Sequence, residues 1–514
     1  MNLYPQLISG WPKLAWIAIL TPGSEEIGFL HGPRVEVRPE WAAEAVWAGD
    51  FAVGDFDQTD LIFGTGVRCR EDHVVFVTSG TLMDRLWYYQ KEERWYVSNS
   101  LGALCSCADV SLQEDFCYVN DRNSVIRTSW GAETCIGTFP TETGEGHLIW
   151  FHNLVYENGS LREEVKPDTA PVFTCYDDYQ NFLFATAQSL GANLESSSRN
   201  HRVAPLASIS SGYDSPAAAV VAKHAGCTQA VTLKQSSSFW RGSDSGQEIA
   251  GHLGLSCRSY DRTAETYPHE EAFWAASGHC NLLSWTLFEY PEPVCLFFVG
   301  CYGDAIWDRK KLRDPFSFHV WDDLAMSEYR LIRGMLQCVV PFWGMRHDKE
   351  IEAITFSEEM APWTMHNNYD RPIARRLVEE AGVPRGAFAV RKKDTSHEAA
   401  FRWPYTPASQ ARFRQYLESR SLTAPRPFMV RFLRRLAHLE SLIYINITNK
   451  LDIRMRLRPW LKMSGLSLLF HWANEELKRE YRKGLEEKDG GRKSSQFTVH
   501  SKRIRKVVNR SGGS

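Results

Sequence analysis

Apolar positions change their spacing near residue 165. Before it, short apolar runs at 14–20, 73–78, 95–98 and 147–151 are separated by Gly, Pro, Asp and Asn turns, a pattern that predicts a mostly β region. After it, residues 176–194 place Phe182, Leu183, Ala185, Leu190 and Leu194 at helical spacing. The run 203–209 then reads as a buried strand, and it breaks into the polar turn Ser210-Ser211-Gly212-Tyr213-Asp214-Ser215. Pro216 and the alanine-rich run 217–225 follow, and Pro favours the first turn of a helix. Residues 229–233 predict a second strand, so strand, helix and strand form the βαβ unit of a parallel sheet. The continuous apolar run 294–299 predicts a strand buried on both faces.

Other segments are read more coarsely. Residues 160–175 turn polar and predict a linker. Residues 243–255 predict a helix capped by Ser243 or Ser245, with Glu248 completing a capping box. Residues 320–380 read as helical and aromatic. Within them, 369–376 predicts a helix start with Asp370 as cap and Pro372 in the first turn. Stretches 413–422, 428–451 and 464–484 read as amphipathic helices. From Leu485 the chain turns to Gly, Ser, Lys and Arg, a composition that predicts a basic disordered tail.

Composition narrows the class. A chain of 514 residues predicts two or three domains. The net charge of −3 argues against a protein that coats nucleic acid. The 12 cysteines form no regular framework, and Cys105 and Cys107 have no second close pair to complete a zinc site, so reduced thiols are expected. The first 20 residues lack a basic lead, and no apolar run approaches the roughly 18 residues of a membrane span. The expectation is a cytoplasmic protein without stable membrane insertion.

Two turns carry candidate chemistry. The N–H groups of a loop at a helix N-terminus favour phosphate, so 210–215 is a candidate phosphate seat. Asp214 adds a carboxylate beside it, and Mg²⁺ on phosphates takes one or two carboxylates. The second turn is Gly300-Cys301-Tyr302-Gly303-Asp304, where glycine at a strand end lets backbone approach a ligand. Two aspartates, each at the carboxyl end of a parallel strand, fit one phosphate–metal site. Cys301 beside it raises sulfur transfer as a further chemistry, although a small buried thiol is the commoner role of such a residue.

These segments resemble a known family. SSGYDS is similar to the SGGxDS pyrophosphate loop of the ATP pyrophosphatases, in the form found in asparagine synthetase and its relatives. Ser211 stands where that pattern has glycine. The turn from Gly300 to Asp304 resembles the family's GxGxDE loop, with Ala305 in place of the second acid. GDFA at 49–52, DRLWYY at 84–89 and WYVSNSLGAL at 95–104 resemble segments of the family's N-terminal domain.

The resemblance implies an α/β protein. Residues 1–165 would be a degenerate Ntn-amidotransferase-like domain and 166–405 a doubly wound parallel-sheet ATP pyrophosphatase domain. A helical extension over 406–484 and the tail 485–514 would follow. The family's glutamine-using members carry a catalytic cysteine at residue 2, where this chain has Asn2. The resemblance therefore implies a member without glutaminase activity, similar to the β-lactam synthetases and lasso-peptide cyclases.

The implied cofactors are ATP and Mg²⁺. Ser210, Ser211, Gly212 and Ser215 would cradle the pyrophosphate, Asp214 and Gly303 would also border the ATP, and Thr232 and Leu233 would hold the adenine. Asp214 and Asp304 would hold Mg²⁺. The family also places a lysine on a basic loop, which here matches Lys392 or Lys393. The implied reaction joins a small-molecule or peptide carboxylate to an amine, with release of AMP and pyrophosphate. A partner supplying ammonia or substrate, ammonia-dependent asparagine synthesis, and a nucleotide-binding scaffold without catalysis remain open alternatives.

Overall fold

The computed structural model describes residues 1–118, 135–234, 243–261, 267–277, 283–309, 326–367, 369–389, 403–433, 435–436, 439 and 465–491, with the backbone of Thr128–Ser129 and His319–Val320. The chain is mixed α/β, with a mostly β first half and a parallel sheet in the second.

Two sheets make the first half. In the seven-stranded sheet the strands run Asn2–Leu7, Glu26–His31, Trp16–Leu20, Arg94–Ser98, Arg85–Lys91, Gly144–Trp150 and Ile136–Thr141 from edge to edge. In the six-stranded sheet they run Ser160–Glu164, Asn153–Glu157, Val74–Val77, Ile62–Cys69, Trp41–Trp47 and Glu36–Val37. The predicted linker thus contains an edge strand. The sheets share one core, in which Trp16 stacks on Phe29 at 5.7 Å and on Phe76 at 6.4 Å. The period of two explains why Trp41–Trp47 is buried throughout: Ala42 faces this core, while Trp41, Ala43, Ala45 and Trp47 enter a second cluster on the outer face.

The second half holds a five-stranded parallel sheet, with strands Ser256–Tyr260, Gln229–Leu233, Val203–Ser208, Val294–Val299 and Met335–Val339 in spatial order. Strand order reverses between the third and fourth of these, and in open parallel sheets ligands bind beyond the carboxyl ends at such a point. The fifth strand corrects the helical reading of 320–380. Its residues are all buried, Gln337 included, and a buried stretch of five has no periodicity to tell strand from helix.

Helix Asp214–His224 packs against this sheet and is flanked by Tyr176–Leu194 and Pro372–Glu380. Helix Pro407–Ser419 follows, and Gly465–Gly491 extends seven residues past the predicted end at 484, so the expected tail begins in a helix. The predicted helix at 428–451 lies largely outside the described residues.

Gly465–Gly491 packs against Leu101–Cys107 of the first half and Glu270–Ser277 of the second. Trp11 Nε1 donates to the Tyr481 carbonyl at 3.0 Å, and the two rings meet edge to face at 5.2 Å. Among the described residues no helix is long and apolar enough to cross a membrane.

Buried histidines give the fold a pH signature. Burial holds His31, His147, His152, His201 and His471 below the ordinary imidazole pKa. They are neutral in the folded chain and protonate more readily when it unfolds. Their contribution is therefore fully present above about pH 6.5 and is lost as pH falls through their lower folded values. Thermal melts are expected to show a Tm that falls as pH drops below about 6.5; an unchanged Tm there counts against neutral burial.

Candidate functional site

Strand Val203–Ser208 delivers the polar turn to the sheet's carboxyl edge, and helix Asp214–His224 leaves from it. The helix starts two residues before Pro216, which therefore sits in its first turn, where its missing N–H costs nothing. The turn is held by its own hydroxyls. Ser210 and Ser215 share an Oγ–Oγ hydrogen bond of 2.7 Å, and the Gly212 N–H donates to Ser210 Oγ at 3.3 Å.

A second segment braces it from outside. The Ser211 N–H donates to the Asp244 carbonyl at 3.1 Å, and Ser211 Oγ to Asp244 Oδ1 at 2.6 Å. A Cβ on Gly246 would lie 2.8 Å from the Ile209 carbonyl carbon, so glycine lets this segment lie flush on the turn. Neither Ser211 nor Gly212 falls in the left-handed region, so serine in place of glycine strains nothing here.

The second turn meets the first at Asp214. Strand Val294–Val299 ends in Gly300, and Gly303 begins the short helix Gly303–Ile306. A Cβ on Gly300 would lie 2.3 Å from the Asp214 carbonyl carbon, and one on Gly303 2.3 Å from Asp214 Cγ and Oδ1. Both glycines are required for the two strand ends to touch. Between them Tyr302 takes φ 65°, a left-handed conformation costly for a bulky residue, and stacks on Phe342 at 5.3 Å. Gly303→Ala is expected to destabilise by about 1–3 kcal/mol by displacing Asp214. A thermal melt checks this; an unchanged Tm would contradict the packing.

Electrostatics centre on a residue that motif reading passes over. Arg371, 2% exposed, lies in the connection ahead of helix Pro372–Glu380. Its Nη1 pairs with Asp214 Oδ2 and its Nε lies 3.3 Å from Asp308 Oδ2. Burial opposes its charge, but Asp214, Tyr369 and Asp304 more than offset this and hold its pKa above the ordinary guanidinium value. Asp304 is exposed at the cleft mouth. Burial, reinforced by Asp214 and Asp304, pushes the Cys301 thiol up to about 12. A thiol so held is a poor nucleophile at neutral pH, which counts against the sulfur-transfer reading.

A cleft of about 240 Å³ opens between the two turns. Ser210, Gly212, Asp214, Ser215, Thr232, Leu233 and Asp304 all line it. Ser211 and Gly303 lie behind its wall, the first tied to Asp244 and the second under Asp214. Thr232 is buried, and its Oγ1 accepts from the Gly246 N–H at 3.0 Å. Beyond it Trp285 and Phe288 form an aromatic wall. They come from the aromatic stretch after residue 270, where no motif marks them.

Two predicted helix starts are corrected. Asp370 does not cap the helix after it; its carboxylate turns back and accepts from the N–H groups of Met365 and His366. The helix read over 243–255 spans only Gln247–His252, because 243–246 is committed to bracing the turn and strand Ser256–Tyr260 begins just after. Lys392 and Lys393 lie outside the described residues. The preceding described stretch ends at Ala389, whose N–H donates to the Ser211 carbonyl at 2.8 Å.

The structure thus defines a mixed α/β protein with a polar cleft at the point of strand-order reversal in a parallel sheet. No protein-family model matches the chain, and no curated protein matches it.

Proposed function

We propose that the chain is an ATP-dependent, AMP-forming amide ligase, similar to the asparagine synthetases but without glutaminase activity. The observation that carries this reading is the meeting of Ser210–Ser215 with Gly300–Asp304 in one cleft at the strand-order reversal. In this reading the first half is a degenerate Ntn-amidotransferase-like domain and the second an ATP pyrophosphatase domain. An oxygen of the substrate carboxylate attacks the α-phosphorus of ATP, the α–β bridge breaks, and pyrophosphate leaves. The substrate amine then attacks the acyl carbon, loses a proton and expels AMP.

The chain's own groups have distinct roles. Ser210, Gly212 and Ser215, which line the cleft, would hold the departing pyrophosphate at the helix N-terminus, where the dipole favours anions. Trp285 and Phe288 offer an apolar wall to a base. Lys392 or Lys393 would supply a fixed cation for charge developing at the acyl centre. The donor set suits Mg²⁺: two carboxylates beside a phosphate seat, one of them in a glycine cradle too tight for a Cβ. Asp214 and Asp304 would hold that ion, which neutralises phosphate charge. Asn2 begins an edge strand, with its N–H donating to the Glu25 carbonyl at 2.8 Å, a placement unlike that of an N-terminal nucleophile.

One observation favours a second reading. The Arg371–Asp214 pair puts a fixed cation where the first reading needs a metal, as a non-catalytic nucleotide-binding scaffold would. Pyrophosphate exchange into ATP separates the two, measured with and without Mg²⁺ across amino acids, sugar acids and peptides. Mg²⁺-dependent exchange with one carboxylate class is expected. Tight ATP binding indifferent to Mg²⁺, with no exchange on any carboxylate, would favour the scaffold. Asparagine formed from aspartate, ATP and ammonium would identify the ammonia-dependent synthase.

A further inference from the structure

We infer that the first half carries a separate site for a thiophilic divalent cation such as Zn²⁺, built from Cys135, His152 and Glu163. One sulfur, one nitrogen and one carboxylate oxygen from these residues lie within 4.8 Å of one another. This is the mixed S, N, O donor set that suits Zn²⁺. Metal–ligand bonds of about 2.0–2.3 Å in a tetrahedral site put ligand atoms roughly 3.3–3.7 Å apart, so the close Nδ1–Oε1 pair would open slightly on binding. The chain around them is already fixed. Cys135 immediately precedes the edge strand Ile136–Thr141, and its carbonyl accepts from the Trp150 N–H at 3.2 Å. His152 sits in the tight connection between Gly144–Trp150 and Asn153–Glu157, and Glu163 lies on Ser160–Glu164.

Glu163 Oε1 ties the cluster together. It lies 2.7 Å from His152 Nδ1 and accepts the Cys135 N–H at 2.6 Å. A carboxylate bonded to an imidazole in this way fixes ring orientation before any metal arrives. A cation at Nδ1 would take the place of the proton shared with Oε1. That proton moves to Nε2, and the thiol releases its own to solution, so binding liberates one proton. Cys135 is 4% and His152 8% exposed, whereas the Glu163 side chain is 19% exposed.

Two basic groups are near, the Arg346 guanidinium and the Lys166 amine, whose pKa burial brings down to about 7. Arg346 lies over the Phe151 ring at 4.9 Å and donates to the Lys166 carbonyl, and Lys166 Nζ is bonded to Asn153. Their charge opposes a hard ion held by electrostatics alone. It is tolerated by an ion bound through a thiolate and an imidazole, which selects Zn²⁺ over Mg²⁺ or Ca²⁺. The placement also gives the ion a task. Ile136–Thr141 is one edge of the seven-stranded sheet and Ser160–Glu164 one edge of the six-stranded sheet, so Cys135 and Glu163 would be clipped together across the rim of the two-sheet core.

The test uses the full chain stripped with chelator and does not depend on the ligase reading. Zn²⁺ is expected to raise the Tm of the parent, as any ligand of the folded state does. Mg²⁺ is not, and Co²⁺ is expected to give a thiolate charge-transfer band. Cys135→Ser should lose both the band and the Zn²⁺ shift while keeping the parent's metal-free Tm. Glu163→Gln should weaken Zn²⁺ binding by about 10–100-fold without altering nucleotide binding. No band and no Zn²⁺ shift in the parent overturns the site. A band that persists in Cys135→Ser places the ion on other cysteines and overturns it equally. Should Cys135→Ser fail to fold, unaltered Zn²⁺ affinity in Glu163→Gln overturns the site and weakened affinity upholds it.

Discussion

Asp214→Asn is expected to reduce pyrophosphate exchange into ATP by at least about 100-fold while leaving a folded protein. A metal ion contributes several kcal/mol of charge stabilisation in phosphoryl chemistry, and about 2.7 kcal/mol already corresponds to that factor. The substitution preserves side-chain volume, so the contacts made through Gly300 and Gly303 remain. It removes one of the two carboxylates paired with Arg371, and Asp308 remains beside that guanidinium. The fold should therefore survive, and the loss should reside in the chemistry. Two measurements decide it: exchange rate, and the Mg²⁺ dependence of ATP binding. Exchange within a factor of about three of the parent would remove Asp214 from the proposed metal site. Binding that becomes stronger without Mg²⁺ would show that Asp214 serves only to hold Arg371.

Arg330→Ala is expected to have the largest effect on stability, about 3–5 kcal/mol. Arg330 stands on helix Ser327–Arg333 of the second half and reaches into the first. It donates to Glu44 at 2.8 and 3.1 Å, and its Nε lies 2.5 Å from Asp84 Oδ1. All three side chains are 3% exposed or less. Glu44 also accepts from the Thr65 N–H and hydroxyl and from Asn99. Burial pushes Asp84 up to about 6 even though Arg330 pulls it down. Without the guanidinium, two carboxylates lose their counter-charge in a dry interface. The expected result is a lower Tm and a melt that splits in two as the halves uncouple. A single transition at the parent's temperature would refute the role of this triad.

What could be read ahead of the structure follows from where periodicity is strong. Val294–Val299 and Gln229–Leu233 are short apolar runs closed by turn residues, and both match the expected strands residue for residue. The turn at 210–215 stood out because small polar residues interrupt apolar sequence abruptly. Trp41–Trp47 escaped notice because its alanines pack on both faces and blur the alternation of two. Arg371 escaped for a different reason. Its importance comes from a partner 157 residues away, and nothing local distinguishes it from the arginines at 375 and 376. Lys392 and Lys393 rest on the resemblance alone.

Helix Gly465–Gly491 has a consequence for the order in which the protein is made. Its Leu477 and Tyr481 side chains press on Gly102, and Tyr481 receives the Trp11 indole N–H through its carbonyl. The first hundred residues therefore emerge from the ribosome with part of their interior still open, awaiting a segment almost four hundred positions later. At about 5–20 residues per second that wait lasts tens of seconds. The early half passes this interval with apolar surface unsealed at Gly102 and Trp11, and its final closure waits for Leu477 and Tyr481 rather than for the completion of its own strands.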